Sequence, residues 1–279
     1  MMNRRQFLKG LAQVSTGYVL AGMGLHQYSS HIEASDLTVE RVDIPIPGLG
    51  ADLVGFRIVQ LSDIHLDSHT QPELVAEAVE TANLLQPDLI LLTGDYITDS
   101  AEAIFDLTPV LARLKAQYGV FACRGNHEMW TNPALIDEAL RQVGISVLVN
   151  EGITIRHGQD ALFVVGLDDL WSGKPDLAVA LANYAEGTPV VLMAHEPDFA
   201  DQICLDGRVS LQLSGHSHGG QVRLPGMGAI ILPEHGQKYD QGLFRVEDMW
   251  VYTNRGLGAS PVPYRLNCPP EVTEFTLRA

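Results

Sequence analysis

The chain has 279 residues, 46% of them hydrophobic and 19% charged, so it can bury a sizeable core and is not a disordered tail. No repeat of fixed period is visible, which excludes a solenoid. Eighteen basic and 34 acidic residues give a net charge of −16. A field of that sign repels polyanions at long range, so we expect no nucleic-acid partner.

The first 34 residues differ in character from the rest. Arg4, Arg5 and Lys9 precede an apolar stretch over residues 10–25. A basic region followed by a short apolar region is typical of an export signal, and the adjacent arginines resemble the twin-arginine class. The sequence therefore predicts a twin-arginine-type signal or anchor over residues 1–34 and an exported, periplasmic or cell-envelope protein. Cleavage near Ala34 and retention as a membrane anchor are the two alternatives.

Strand and helix patterns alternate through the first half of the remaining chain, residues 35–279. In chain order they predict strands at 37–44 and 56–61, a helix at 72–85, a strand at 88–93, a helix at 101–116, a strand at 119–123 and a helix at 133–142. After Gly144, strands predominate, at 145–149, 153–156, 162–165, 189–194, 209–213, 229–232, 243–246, 249–253 and 272–277, with one helix at 175–185. This order indicates one α/β domain of two packed sheets with helices outside.

Five short polar segments each follow an apolar strand. They are Ser62-Asp63-Ile64-His65, Thr93-Gly94-Asp95, Arg124-Gly125-Asn126-His127-Glu128, Ala194-His195-Glu196-Pro197 and Ser214-Gly215-His216-Ser217-His218-Gly219. In layered α/β folds, ligands bind beyond the carboxyl ends of the strands, so these loops can converge. The glycines before Asp95, Asn126 and His216 are expected to allow sharp turns that expose the following side chain.

The residue types in these segments suit two divalent metal ions. Imidazole, carboxylate and amide oxygen are ligands for Mn²⁺, Fe, Co or Zn²⁺, and one carboxylate such as Asp95 can bridge two ions. Such a pair polarises phosphoryl oxygens and converts a bridging water into hydroxide for in-line attack. Each segment alone has another interpretation: a turn for Gly94-Asp95, a helix cap for Asn126 and a hydrogen-bonded core histidine for His195. Their joint occurrence at strand ends favours the metal site.

These five segments resemble the signature of the calcineurin-like metallophosphoesterases, over roughly residues 54–255. The resemblance implies a four-layer α/β/β/α sandwich with a dinuclear metal centre. It implies that Asp63, His65 and His218 hold one ion, that Asn126, His195 and His216 hold the other, and that Asp95 bridges them. It also implies that His127, which is not a ligand, stabilises the transition state or protonates the leaving oxygen.

Residues around the motifs suggest further roles. Glu128 is expected to be a helix N-terminal acid or a support for the ligands rather than a catalyst. The segment from Thr253 to Glu271 resembles a bacterial branch of the family that includes exported phosphodiesterases and relatives of the UDP-2,3-diacylglucosamine hydrolase. In it, Arg255 or Arg265 could orient a substrate phosphate, with a structural loop as the alternative. Trp130 and Trp171 could flank an apolar part of a substrate, with packing as the alternative.

The remaining residues leave other points open. His69 could line the site, and His157 and His235 are interpreted as surface residues. Cys123, Cys204 and Cys268 are too few for a disulfide framework, so buried thiols are favoured over one pair.

The sequence as a whole predicts a metal-dependent phosphoester hydrolase, most simply a phosphodiesterase. Its expected substrate is a small phosphoester or a phospholipid-type molecule, and its expected partners are the export machinery and, if anchored, the membrane. The alternatives are a UDP-2,3-diacylglucosamine pyrophosphatase-like enzyme, hydrolysis of a bond other than a phosphoester, and a non-catalytic metal-binding scaffold of the same fold.

Overall fold

The computed structural model describes residues 22–66 and 69–279. The predicted export motif at Arg4 and Arg5, with most of the apolar stretch after it, lies outside these residues. Within them, no helix has the length and apolar character needed to span a bilayer. The described chain begins with helical turns over residues 22–27, followed by a π-helical turn at Tyr28–Ile32 and a 3-10 turn at Glu33–Ser35.

Fourteen strands follow in the described residues. In chain order they are β1 (Thr38–Pro45), β2 (Arg57–Leu61), β3 (Leu89–Leu92), β4 (Val120–Ala122), β5 (Ile145–Val147), β6 (Glu151–His157), β7 (Asp160–Gly166), β8 (Val190–Met193), β9 (Val209–Ser214), β10 (Arg223–Leu224), β11 (Gly228–Ala229), β12 (Gly242–Val246), β13 (Met249–Thr253) and β14 (Glu271–Arg278). The strand predicted at 229–232 is replaced by the two-residue strand β11. It pairs with β10 in a short hairpin that belongs to neither large sheet.

Six α-helices lie between the strands. They are α1 (Pro72–Leu84), α2 (Ile104–Leu111), α3 (Asn126–Trp130), α4 (Pro133–Gln142), α5 (Leu177–Ala180) and α6 (Ala200–Ile203). Both α1 and α4 begin with proline, which has no N–H to leave unpaired at that position. The helix predicted over 101–116 is shorter: a 3-10 turn at Ala101–Ala103 precedes α2, which ends two residues after Pro109, a residue without a helix donor.

Two six-stranded sheets carry the fold. The first has the order β1-β14-β2-β3-β4-β5, with β2 to β5 parallel and β14 antiparallel to β2. The second has the order β12-β13-β9-β8-β7-β6, and its strands β13, β9, β8 and β7 are parallel. The carboxyl ends of the central parallel strands therefore meet at one edge of each sheet.

Side chains alternate along the central strands between two hydrophobic clusters. In β3, Leu89 and Leu91 belong to the cluster between the sheets, whereas Ile90 and Leu92 pack with α1, α2 and α4. A third cluster, with Val190 and Leu192 of β8, lies on the outer face of the second sheet beneath α5 and α6. Helices, sheet, sheet and helices thus form four layers, which confirms the predicted fold class.

Candidate metal centre

The five polar segments predicted from the sequence begin at the carboxyl ends of β2, β3, β4, β8 and β9. The two sheets are tied together at this edge. His195, after β8, places Nδ1 2.6 Å from the carbonyl oxygen of Thr93, after β3. The backbone N–H of His216, after β9, donates to Asp63 Oδ1 at 2.8 Å. Loops from both sheets therefore converge on one site.

Five of the predicted ligands have left-handed backbone conformations, which residues other than glycine rarely adopt. Their φ values are 48° for Asp63, 45° for His65, 55° for Asp95, 68° for His216 and 51° for His218. Each such residue costs of order 1–3 kcal/mol and persists only where its surroundings enforce it. The concentration of strained residues at one edge indicates a functional site rather than ordinary turns.

The glycines of the motifs act in two different ways. Gly94 has φ of 93°, as predicted for a sharp turn. Gly125 is extended, with φ −112° and ψ −176°, so the expected sharp turn is wrong there. Its role is close approach: a Cβ at Gly125 would overlap Asp95 Oδ1, and a Cβ at Gly215 would overlap Asp63 Oδ2. These glycines let neighbouring loops touch.

The first group of potential ligands is Asp63, His65 and His218, all buried. His65 Nε2 and His218 Nε2 are 3.0 Å apart, and His218 Nε2 is 3.3 Å from Asp63 Oδ1. Two imidazole nitrogens and a carboxylate oxygen thus point at one small space.

The second group is Asp95, His195 and His216, with Asn126 beside it. His195 Nε2 is 3.0 Å from Asp95 Oδ2, and His216 Nδ1 is 2.9 Å from Asn126 Oδ1. Because the Nδ1 atom of His195 faces Thr93 and the Nε2 atom of His216 lies 2.7 Å from the Glu234 carbonyl oxygen, each ring keeps its other nitrogen toward the site. Asp95 Oδ2 is also 3.4 Å from His65 Nε2, so Asp95 lies between the two groups.

His127 and Glu128 lie beside these groups in different ways, and a ring nitrogen of His127 comes close enough to His65 and Asp95 to form a third potential ligand group with them. The Nδ1 atom of His127 lies 2.7 Å from the Thr98 carbonyl oxygen, and its backbone N–H donates to Asp95 Oδ1 at 3.0 Å. Glu128 is fully buried and accepts backbone N–H groups of Gly125 at 2.8 Å, Asp95 at 2.8 Å and Tyr96 at 2.9 Å. Glu128 therefore supports the ligand loops, as predicted, and does not face the site.

The electrostatics of the site favour a bound cation. Burial raises the pKa of Asp63 to about 6, and the neighbouring charge of Asp95 adds to this effect. Burial opposes ionisation of both His195 and Asp95, but their mutual attraction keeps the pKa of His195 well above and that of Asp95 well below the usual range. Metal ligation needs neutral imidazole, so a divalent cation would displace the proton on His195.

Several buried polar atoms of the site have no hydrogen-bond partner within the described part of the chain. They include Asp63 Oδ2 and His218 Nδ1. Leaving such atoms unpaired in a protein interior costs free energy, and native folds keep few of them. Two in one cluster, on residue types that ligate metals, fit the predicted ions.

Comparison with known proteins agrees with this geometry. The calcineurin-like phosphoesterase family matches residues 56–220, more than half of the chain. The chain belongs to this family. The predicted enzyme class, a metallophosphoesterase, is thereby confirmed. Every predicted ligand lies in the matched region, at the carboxyl ends of its strands.

Similar proteins cover almost the whole chain. The uncharacterized metallophosphoesterase YkuE of Bacillus subtilis is 34% identical over 100% of this chain and 98% of its own length. Phosphodiesterase YaeI of Escherichia coli is 34% identical over 99% of this chain and 100% of its own. UDP-2,3-diacylglucosamine pyrophosphatase LpxG of Chlamydia muridarum is 28% identical over 88% of this chain and 90% of its own.

The rim of this metallophosphoesterase site carries two exposed tryptophans. The rings of Trp130 and Trp171 are 5.1 Å apart in an edge-on contact, and Trp130 Nε1 donates to Ser172 Oγ at 2.9 Å. The Trp130 ring also lies 4.8 Å from that of His127, and the Trp171 ring 5.7 Å from that of His216. With 52% and 39% exposure, the two rings pack on each other and on the site histidines while part of each faces solvent.

Sequence reasoning missed the carboxyl pair that supports this rim. Asp169 and Glu196 are both buried, and Glu196 follows the predicted ligand His195 directly. Burial, together with the contact to Asp169, raises the pKa of Glu196 well above its usual range. Glu196 accepts the Leu170 N–H and Asp169 accepts the Ser172 N–H, so the pair ties the Trp171 loop to the His195 loop. The only sequence signal was an acid beside a motif histidine.

The arginines proposed to orient phosphate are engaged elsewhere. Arg265 is completely buried and donates to the backbone carbonyl oxygens of Cys268, Arg255 and Gly256 at 3.0, 2.9 and 3.1 Å. Arg255 pairs with Glu40 at 2.8 Å and Glu271 at 2.7 Å. The structural alternative is therefore correct for both.

The structure also places the remaining side chains. Arg124, left unassigned by the sequence, pairs with Asp137 at 2.6 Å and Asp168 at 3.2 Å. The His235 ring lies 6.0 Å from the ring of Trp171, closer to the site than a surface loop implied. The three cysteines are free thiols, as favoured, and Cys123 and Cys268 are buried.

Proposed function

We propose that the chain is a phosphodiesterase that uses two divalent metal ions, which Mn²⁺, Fe, Co or Zn²⁺ could supply. The observation that carries this proposal is the convergence of seven buried ligand-type residues, with unpaired polar atoms, at one edge of two sheets. Asp63, His65 and His218 would hold one ion. Asn126, His195 and His216 would hold the other, and Asp95 would be shared. Bound there, the ions would polarise phosphoryl oxygens and activate a water for in-line attack near neutral pH.

The chain's own residues orient the reaction around this centre. His127 is held through Nδ1 by the Thr98 carbonyl, which leaves Nε2 as the free edge of the ring. Its backbone N–H anchors it to Asp95, so the imidazole lies next to the shared ligand. In this position His127 protonates the leaving oxygen as a general acid, a contribution of about 10²–10⁴ in rate. Glu128 keeps the loops of Asp95 and Asn126 in place.

Charge around the site supports a substrate with a single phosphate. Among the described residues near the rim, Arg124, Arg255 and Arg265 all have carboxylate or carbonyl partners in the fold. A pyrophosphate would leave its second phosphate beside acidic surroundings without a free guanidinium to neutralise it. A phosphodiester needs only the ions. The similarity to phosphodiesterase YaeI, over nearly the whole of both chains, also supports this substrate class.

Two other functions remain candidates. The similarity to the pyrophosphatase LpxG favours a lipid-linked pyrophosphate as the second substrate class. A non-catalytic scaffold of the same fold would have no reason to keep the complete ligand set, His127 and the strain of five left-handed residues, so we place it last.

We also propose that residues 1–34 direct export to the cell envelope. The support is the sequence: Arg4 and Arg5 before an apolar stretch. Replacing both arginines by lysine should leave an envelope-targeted chain in the cytoplasm, as measured by fractionation. Unchanged export by that double variant would contradict the twin-arginine assignment.

An activity screen of metal-counted protein tests the proposed reaction. Bis(p-nitrophenyl) phosphate, p-nitrophenyl phosphate and a UDP-sugar pyrophosphate are offered with added Mn²⁺, with a carboxyl ester and an amide as non-phosphoester substrates. We expect fastest turnover of the diester. Absence of phosphoester turnover with two ions per chain would defeat the enzyme proposal, and preference for the pyrophosphate would select the second candidate.

A further inference from the structure

Residues 22–35 pack against the catalytic domain through polar side chains. Ser29 and Glu33 are buried, with 7% and 4% exposure. Glu33 Oε1 accepts the backbone N–H of Cys268 at 2.7 Å, and the Ser29 carbonyl oxygen accepts that of Arg265 at 2.9 Å. Removal of these residues would take away the partners of two backbone N–H donors of the C-terminal loop.

The opposite side of the same segment is apolar and faces outward. Met23, Leu25, Tyr28 and Ile32 are 63%, 52%, 44% and 57% exposed. Leu25, Tyr28 and Ile32 recur at the i, i+3, i+7 spacing of one helical face. A helical segment on a protein in water normally turns its apolar face to the core, so this segment is inverted.

Two neighbouring segments add to this exposed apolar area. Val262 is exposed, and its carbonyl oxygen accepts Gln221 Nε2 at 3.1 Å. The β10–β11 hairpin is joined to the same region, because the Arg223 N–H donates to the Leu266 carbonyl at 2.8 Å. We call the following eight side chains the apolar surface: Met23, Leu25, Tyr28, Ile32, Met227, Ile230, Ile231 and Val262. They are half of the sixteen large apolar side chains that are exposed in the described residues.

We propose that residues 22–35 stay attached to the catalytic domain and that the apolar surface lies on a lipid bilayer. The preceding sequence is the reason to propose lipid as the partner of the apolar surface. The apolar stretch of residues 10–25, which follows Arg4, Arg5 and Lys9, ends inside this segment. That stretch of 16 residues is shorter than the ~20 of a spanning helix, so further apolar side chains must meet the lipid if it inserts. Tyr28 has the amphipathic ring that favours the headgroup boundary.

The net charge of the chain argues against an electrostatic attachment to the membrane. With a net charge of −16, the chain is repelled by anionic headgroups. Attachment therefore depends on buried apolar area and should change little with salt, in contrast to the steep salt dependence of a polybasic surface.

The surface lies close to the metal centre. The backbone N–H of Cys268 donates to Glu33, and its Sγ lies 3.1 Å from the His218 carbonyl oxygen. The backbone N–H of Arg265 donates to Ser29, and its guanidinium donates to the carbonyl oxygen of Gly256. The Gly258 N–H donates to the carbonyl of Asp63 at 2.7 Å. A bilayer against the apolar surface would thus present headgroups beside the site. Resting on the proposed phosphodiesterase function, this placement favours phosphodiesters held at a membrane surface, such as phospholipid headgroups.

Depth-sensitive fluorescence tests the surface without requiring activity. In the full chain with Cys204→Ser, an environment-sensitive dye is attached at Tyr28→Cys, Ile231→Cys or, as control, Leu205→Cys, which is 83% exposed and outside the apolar surface. The protein is added to phosphatidylcholine vesicles that contain spin-labelled lipid. We expect loss of fluorescence at positions 28 and 231 but not at 205, at low and high salt alike.

Three results would overturn the inference. The first is a vesicle-bound chain in which no label is quenched, which would mean attachment through residues 1–21 alone. The second is a change in label fluorescence at positions 28 and 231 that occurs without lipid and grows with protein concentration. That result would mean that a second copy of the chain covers the apolar surface. The third is a mature envelope protein that mass spectrometry shows to begin after Glu33.

A matched pair of variants links the surface to the substrate. Ile231→Glu should lower hydrolysis of vesicle-embedded phosphodiester severalfold while leaving bis(p-nitrophenyl) phosphate turnover unchanged, and Leu205→Glu should change neither. Equal loss on both substrates would contradict the headgroup placement. No turnover of either substrate by the unmodified chain would instead defeat the proposed function and leave the quenching result standing.

Discussion

Two polar regions lie side by side at the carboxyl edge of the sheets, and they use their polar atoms in opposite ways. In the motif loops, buried atoms such as Asp63 Oδ2 and His218 Nδ1 have no hydrogen-bond partner among the described residues. In the C-terminal loop, Nη1 and Nη2 of the buried Arg265 guanidinium donate to four backbone carbonyls, those of Arg255, Gly256, Gly258 and Cys268, and among its nitrogens Nε alone lacks a partner in the described residues. Sequence alone suggested ligand contacts for both regions.

This difference distinguishes side chains that bind a ligand from side chains that stabilise the fold. A buried polar side chain with hydrogen-bond partners in the fold contributes to stability. Its removal leaves those partners unpaired, which lowers the free energy of unfolding. A buried polar side chain that the fold leaves unsatisfied costs free energy until something binds it. The motif loops should therefore fail in function when changed, and the C-terminal loop in stability.

The largest expected effect is that of Asp95→Asn, which removes the charge shared by both ligand groups. Loss of metal stabilisation worth several kcal/mol corresponds to at least about 10³–10⁴ in kcat/KM. We expect metal content to fall below two ions per chain. Metal analysis and diester hydrolysis measure the two quantities. Unchanged turnover would place the chemistry elsewhere.

His127→Gln should lower kcat by about 10²–10⁴-fold with metal content unchanged, because only proton delivery is lost. The loss should be greatest for diesters with poor alkoxide leaving groups and smallest for p-nitrophenolate, which needs no proton. His235→Gln is the control, a histidine near Trp171 without a proposed role. A loss independent of the leaving group would mean that His127 does not protonate the leaving oxygen.

Arg265→Met tests the other side of the comparison. We expect the free energy of unfolding to fall by about 1–3 kcal/mol, since buried carbonyl acceptors lose their donor. At a temperature where the variant stays folded, KM and kcat for the diester should match those of the unmodified protein. The exposed pair Arg113–Glu80 gives the control, since Arg113→Met should cost about 1 kcal/mol or less. A raised KM with unchanged stability would restore a phosphate-binding role.

The smallest expected effect is at the aromatic rim. Trp171→Ala should raise KM for diesters with an aromatic leaving group about tenfold, the equivalent of an aromatic contact worth roughly 1.4 kcal/mol. Trp171→Phe should recover most of it, and KM for dimethyl phosphate should not change. Equal KM values for Trp171→Ala and the unmodified protein on all these substrates would show that the rim does not contact the substrate.

Local sequence predicted the central strands and the convergence of the motif loops, because apolar runs followed by polar residues mark the carboxyl ends of buried parallel strands. It did not predict that β14, the last strand, lies between β1 and β2, since that pairing joins residues far apart in the chain. Nor could it assign Arg265, whose partners are backbone carbonyls that leave no trace in residue type. The Asp169–Glu196 contact is equally non-local. The distribution of ions among the seven residues stays a prediction.

Anomalous X-ray diffraction from crystals of the Mn²⁺-loaded protein would locate the bound ions. We expect two anomalous peaks, one among Asp63, His65 and His218 and one among Asn126, His195 and His216, with Asp95 touching both. We expect His127 and Arg265 to touch neither. A single peak, or peaks away from these side chains, would contradict the proposed two-metal centre.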